Sequence, residues 1–194
     1  MDTEESPQSR RGERIVGAIG VLSMLSVTVI AALTGAWKPM QIGWVAFIAM
    51  VGGVALALRT EKNQAGALVW GSGLASGAMI VSVGLFLLPD ALNHHPRFGG
   101  LGVASGVIVG FAGHAIGHRL SHVELPMDAT VAQLTAHTIA AGAIIGIVYG
   151  NMPELGPLLG VAIVSHKGPA GYAAADRLTR NGRSWLPILL PAAG

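Results

Sequence analysis

Residues 15–36 read IVGAIGVLSMLSVTVIAALTGA, a run without a single charged residue. Roughly 20 mostly apolar residues suffice for a helix to cross the hydrocarbon core of a bilayer. The run meets that requirement and is long for a signal peptide. Ser9-Arg10-Arg11 just before it faintly resembles a twin-arginine export signal, but Glu13 is unfavourable in that context. A retained membrane helix is therefore expected, preceded by a polar, disordered tail over residues 1–14.

Five more apolar runs follow, at about Met40 to Leu58, Gly66 to Leu88, Gly99 to His118, Ala129 to Tyr149 and Leu155 to Ala175. Each break between them is polar, charged or proline-bearing. Lys38-Pro39 divides the first two runs, and Pro89-Asp90 with Asn93, His94, His95, Pro96 and Arg97 divides the third from the fourth. Asn151-Met152-Pro153 turns the chain before the sixth run, and a charged loop spans Asp176 to Arg183. A last apolar piece begins at Trp185. The expected fold is all-α: a polytopic transmembrane helix bundle with six full spans plus the start of a seventh.

Composition supports this. Hydrophobic residues make up 52% of the chain and charged residues only 11%, against about 25% charged in a typical soluble domain. The pI is near 9.4, but the formal net charge is only +2, and the basic residues sit in short loops and tails. No nucleic-acid partner is implied; the lipid bilayer is. Cysteine is absent, which excludes disulfides and thiolate metal sites. Imidazole and oxygen donors are the metal ligands expected here, and they suit zinc, iron or manganese. Glycine is abundant, with 28 residues, and small residues let membrane helices approach closely. Gly73, Gly77 and Gly84 are expected to form one packed face.

Cytoplasmic loops of membrane proteins are enriched in Lys and Arg. With the N-terminus inside, the inner segments hold Arg10, Arg11, Arg14, Arg59, Lys62, Arg119, Arg177, Arg180 and Arg183, and the outer loops only Lys38 and Arg97. Nine against two sets the expected orientation in the cell membrane, N-terminus cytoplasmic. The twelfth basic residue, Lys167, falls within the sixth run.

Ionisable groups inside a bilayer are costly, so each is a candidate site. His137 lies in the fifth run, His166 in the sixth, and Lys167 adjoins His166. Gln133, one turn before His137, shares its face. Two histidines on adjacent antiparallel helices can hold one metal ion between them. The alternative is a neutral imidazole that only hydrogen-bonds a neighbouring helix. His114, His118 and His122 are spaced i, i+4, i+8 and form a stripe, able to bind a metal or simply to finish a polar helix end. Asp90, His94 and His95 cluster at the outer end of the third run, as a cation entrance or as a hydrophilic loop. Enzyme signatures are missing: there is no His-Glu-x-x-His, no Gly-x-Ser-Gly and no phosphate-cradling Gly-Lys-Ser/Thr. No catalytic role is expected.

Three segments together resemble the ZIP family of divalent-metal transporters. Gly73 to Leu92, ending Leu-Leu-Pro-Asp-Ala-Leu, is similar to the family's second core helix, with Asp90 in place of the usual Glu. His137-Thr-Ile-Ala-Ala-Gly142 falls where the fourth core helix carries His-Asn-x-Pro-Glu-Gly. His166-Lys-Gly-Pro-Ala-Gly171 resembles the fifth, commonly His-x-x-Pro-Glu-Gly. The resemblance covers residues 40–194 and makes 15–36 an extra N-terminal helix. It implies transport of a divalent metal cation, zinc or iron, toward the cytoplasm, with the metal as substrate and no resident cofactor. His137 and His166 would be the ligands, Asp90 an entrance group, and His114, His118 and His122 a cytoplasmic exit. A homodimer is an open arrangement.

The departures have physical weight. Ala141 and Ala170 stand where the family has its two motif glutamates, and Ala140 replaces a motif proline, while Pro169 remains. Two neutral imidazoles bring no negative charge to a dication in low dielectric. A degenerate, non-transporting member acting as sensor or partner subunit is the alternative, as is a transporter of another solute on the same scaffold. The family core has eight helices, so the C-terminal helices are expected to lie beyond this sequence.

Overall fold

The computed structural model describes residues 7–60, 65–120 and 128–194, and these are all-helical. The helices are α1 (Pro7–Thr34), α2 (Trp37–Arg59), α3 (Ala65–Ser82), α4 (Leu88–His94), α5 (Pro96–Leu120), α6 (Ala129–Asn151), α7 (Gly156–Arg180) and the short α8 (Leu189–Ala192). Among the described residues three helical stretches are long and apolar enough to cross a membrane: Arg11–Thr34, Trp37–Arg59 and Ala129–Asn151. The outer surface is apolar to match. Leu33 is 82% exposed, Trp70 75%, Phe98 75% and Phe111 72%. Contiguous exposed apolar area on this scale is expected where the solvent is lipid.

α1 and α2 form a hairpin. Gly35 closes α1 with φ +74°, a left-handed conformation that glycine adopts without a Cβ clash. The Ala36 N–H then donates to Ala31 O at 3.0 Å. Trp44 Nε1 donates to Thr28 Oγ1 across the pair at 3.2 Å. Met24, Ala31 and Met40 are buried beneath Trp44 and Phe47.

α7 is the central helix. It packs most extensively on α2, and also on α3 and α6. The α2–α7 crossing is close because glycine lines both sides. A Cβ built on Gly53 would overlap the carbonyl oxygen of Gly168, and one on Gly171 would overlap that of Met50. Around this crossing Met50, Val54, Val131, Ala174, Ala175 and Leu178 form the main core cluster.

Four expectations change. Residues 7–14, expected to be a disordered tail, continue α1 back to Pro7; Pro suits a first helical position, and Arg and Glu are good helix formers. Residues 1–6 of that tail lie outside the described residues. Pro89 does not end the third run. A π-helical turn, Val83–Leu87, precedes it and α4 carries the helix on to His94. The wider turn accommodates a residue that cannot donate to the carbonyl four places back. The piece from Trp185 is not the straight start of a seventh span. It makes a 3-10 turn, Leu186–Ile188, and then α8, with Pro187, Ile188, Pro191 and Ala192 buried. Gly17 and Gly20 of α1 admit the backbone of Leu186 and Leu189. Finally, Gly73, Gly77 and Gly84 face open space rather than a packed helix. Small residues do make the close contacts, but at Gly53, Gly168 and Gly171.

Gly53→Ala should therefore destabilise the fold by about 1–3 kcal/mol, the usual cost of overpacking, whereas Gly73→Ala should stay within about 0.5 kcal/mol. Unfolding midpoints of the detergent-solubilised variants measure both. A large drop for Gly73→Ala would show that α3 presents a packed face in the assembled protein.

Candidate functional site

The sequence places His137 in the middle of α6 and His166 in the middle of α7, and the fold brings them together. Their ring centroids are 5.8 Å apart, with the planes inclined at 60°. A metal–nitrogen bond of about 2.0–2.1 Å, plus the ~1.1 Å from nitrogen to ring centre, allows two imidazoles on one ion to sit with centroids up to roughly 6.4 Å apart. The observed separation lies within that reach.

His166 is buried, at 6% exposure. Its Nδ1 lies 3.1 Å from Ala162 O, one turn back on α7. A carbonyl can only accept, so Nδ1 carries the proton, and in the neutral ring Nε2 presents a lone pair. That Nε2 is buried and has no hydrogen-bond partner among the described residues. A buried polar atom without a partner costs about 1–3 kcal/mol, and a ligand offsets the cost. The same bond to Ala162 fixes the ring orientation, as hydrogen bonds to the remote nitrogen do in metal-binding histidines. The alternative of an imidazole bonded to a neighbouring helix finds no such bond on His166 among the described residues.

A cavity of about 230 Å³ adjoins both rings and is lined by Met50, Met79, Leu134, His137, Thr138, His166, Lys167 and Ala170. His137 is exposed because it also borders a wider vestibule of about 750 Å³, whose lining includes Gln133, Ala170, Asp176, Arg177 and Arg180. His137 and Ala170 are thus shared by vestibule and cavity. The vestibule opens at the basic end of α7. There Arg180 Nε donates to Asp176 Oδ2 at 2.7 Å, and Arg183 Nη1 to Asp128 Oδ2 at 3.1 Å. The hydrogen bond to Asp176 raises the pKa of Arg180 above its ordinary value. Asp128 also caps α6 by accepting from Thr130 N–H at 2.8 Å.

Lys167 is 1% exposed. Its Nζ makes one long contact, 3.5 Å, to Gly194 O, and the side chain borders both the histidine cavity and a third cavity of about 320 Å³ between α1, α2, α6 and α7. Pro169 follows two residues later inside α7. It removes the helical bond to the carbonyl of Ser165 and loosens the helix beside the site.

The other expected site residues are elsewhere. Asp90 lies in the first turn of α4, directly after the π-helical turn, a distortion frequent at functional sites. His114 and His118 belong to α5, and His122 lies outside the described residues. Among the described residues no group of three or more His, Asp or Glu converges on one point. Met50, Met79, Thr138 and Asp176 were not singled out from the sequence. Asp176 could be read from the sequence only as the start of the charged loop that runs to Arg183. The methionines gave no signal, because an apolar stripe hides them.

No family model, curated protein or solved structure matches the chain. Among the described residues the fold is all-helical, with three helices long and apolar enough to cross a membrane and a half-open two-histidine cavity between its helices.

The position of Ala170 can be tested directly. Its methyl group borders the histidine cavity, so Ala170→Glu would add a carboxylate beside two imidazoles. Zinc affinity of the solubilised protein, measured by equilibrium dialysis, should rise at least tenfold. Unchanged affinity would mean that this side chain does not face a bound ion.

Proposed function

We propose that this chain is a multi-pass membrane transporter that carries a transition-metal cation toward the cytoplasm through the His137–His166 pair. Zinc and iron are the cargo that the resemblance to ZIP transporters implies. The observation that carries the reading is the buried Nε2 of His166, without a partner among the described residues and with its tautomer set by Ala162, on a ring whose centroid is 5.8 Å from that of a second imidazole on another helix. Ionisable groups inside a membrane are costly and mark ion pathways, proton relays and ligand counter-ions, which supports this reading.

Six spans belong to this proposal. α5 and α7 each have 25 residues, more than the roughly 20 needed to cross the hydrocarbon core. α3, the π-helical turn and α4 follow one another without a break from Ala65 to His94. The Lys and Arg bias puts the N-terminus and the vestibule end of α7 on the cytoplasmic side. Asp90 then belongs to the outer entrance, and the α5 histidines to the inner side. Ala170 favours a second reading, a non-transporting relative acting as sensor or partner subunit, because it puts a methyl group where a carboxylate would hold a dication.

Two experiments bear on these points. Because the chain has no cysteine, single cysteines can be placed at will. Cysteines at positions 38 and 97 should react with a membrane-impermeant thiol reagent from outside whole cells, and those at 59 and 180 only after permeabilisation. Any exchange between the two groups refutes the six-span topology. In proteoliposomes of the complete protein, His137→Ala with His166→Ala should reduce metal uptake at least tenfold, to background. Uptake that survives the double substitution removes the pair from the transport path.

A further inference from the structure

The cavity beside the histidine pair is lined by methionine as well as histidine. Met50 comes from α2, Met79 from α3, His137 from α6 and His166 from α7, and all four line the same space of about 230 Å³. Met50 is fully buried. Among the described residues that lining has no carboxylate, and its charged side chain is Lys167. We infer that this cavity is a site for a soft monovalent cation, copper(I), with silver(I) as its redox-inert counterpart, held by the two imidazoles and a methionine thioether. The inference rests on the reading of the histidine pair as an ion site and names the ion class that the pair selects.

Charge decides first. The cost of taking an ion out of water scales with the square of its charge, so a dication costs about four times as much as a monocation of equal size. Neutral imidazole and thioether donors cannot compensate for a second charge, and a lysine against the cavity adds to the penalty. A carboxylate would reverse this balance, but at position 170 the chain has alanine. Donor chemistry decides next. Thioether sulfur selects copper(I), whereas zinc and iron(II) favour imidazole with oxygen or thiolate. Zinc also asks for three or four protein donors in a tetrahedron, while a d10 monocation is satisfied by two or three. The lone pair on His166 Nε2 supplies one donor that is already desolvated and held in its tautomer by Ala162.

Methionine is also an ordinary core filler, and Met50 belongs to the main core cluster. Leucine separates the two roles, since it conserves volume at a cost usually below about 1.5 kcal/mol and carries no sulfur. The test uses the full chain in detergent and a chloride-free buffer. Silver nitrate and zinc sulfate are titrated separately, and bound metal is quantified after equilibrium dialysis. One silver ion per chain should bind at least tenfold more tightly than zinc. Met50→Leu with Met79→Leu should weaken silver at least tenfold and leave zinc within about threefold. Met79→Leu alone decides if the double variant does not elute as a folded species. Silver affinity untouched by the leucine substitutions, or zinc binding more tightly than silver, overturns the inference while the histidine pair stands. Silver retained after His137→Ala with His166→Ala also overturns it, by placing the ion on methionines elsewhere. Absence of any metal binding overturns both this inference and the reading beneath it.

Discussion

The rest of the structure depends on the close crossing of α2 and α7. Glycine at positions 53 and 171 lets the two backbones meet, Gly53 against the carbonyl of Gly168 and Gly171 against that of Met50. In a bilayer, helix association lacks the hydrophobic driving force available in water, so close backbone packing takes its place. Once α7 is fixed against α2, His166 and Lys167 are fixed with it, buried in the middle of the bundle. α6 then brings His137 alongside, and α3 closes the space with Met79. The cavity is thus a consequence of a glycine-lined contact beside it.

The site shows how one local bond can determine chemistry. The carbonyl of Ala162 accepts from His166 Nδ1, and that leaves Nε2 as a lone pair with no partner among the described residues. A histidine buried only for packing would be expected to use both nitrogens or to turn one toward solvent. Here one nitrogen is spent on orientation, and the other is buried without a partner among the described residues. Lys167, two residues before Pro169, stands next to it on a helix weakened by the missing bond to Ser165. His166, Lys167 and Pro169 lie within four consecutive residues of α7, inside the segment His166 to Gly171 that resembles a transporter motif.

Much of this was legible in the sequence because it follows from length and hydropathy. The runs around residues 40–58, 129–149 and 155–175 return as α2, α6 and α7 with ends shifted by a few residues. His137 and His166 stood out because a titratable group in an apolar run is conspicuous. What was not legible depends on tertiary geometry. Met50 and Met79 look like any other apolar residues until the fold sets them beside imidazole. Gly73 and Gly53 have equivalent sequence surroundings, and only packing shows which one meets a backbone. The proline at 89 looks like a helix stop, and the π-helical turn that absorbs it has no simple sequence signal. The tail at 7–14 looked polar enough for disorder, but polarity does not prevent a helix that begins with proline and continues into an apolar span.

The central claim is that His137 and His166 bind one ion together, and it can be observed directly. Nitrogen-15 spectra of histidine-labelled protein would be recorded before and after one equivalent of silver or zinc, with the two residues assigned by single His→Gln substitutions. Of the 7 histidines in the chain, His166 should show the Nδ1-protonated tautomer before metal is added. The Nε2 signal of His166 and one ring nitrogen of His137 should then shift together and saturate at one ion per chain. A shift confined to one of the two, or to other histidines, would contradict the account.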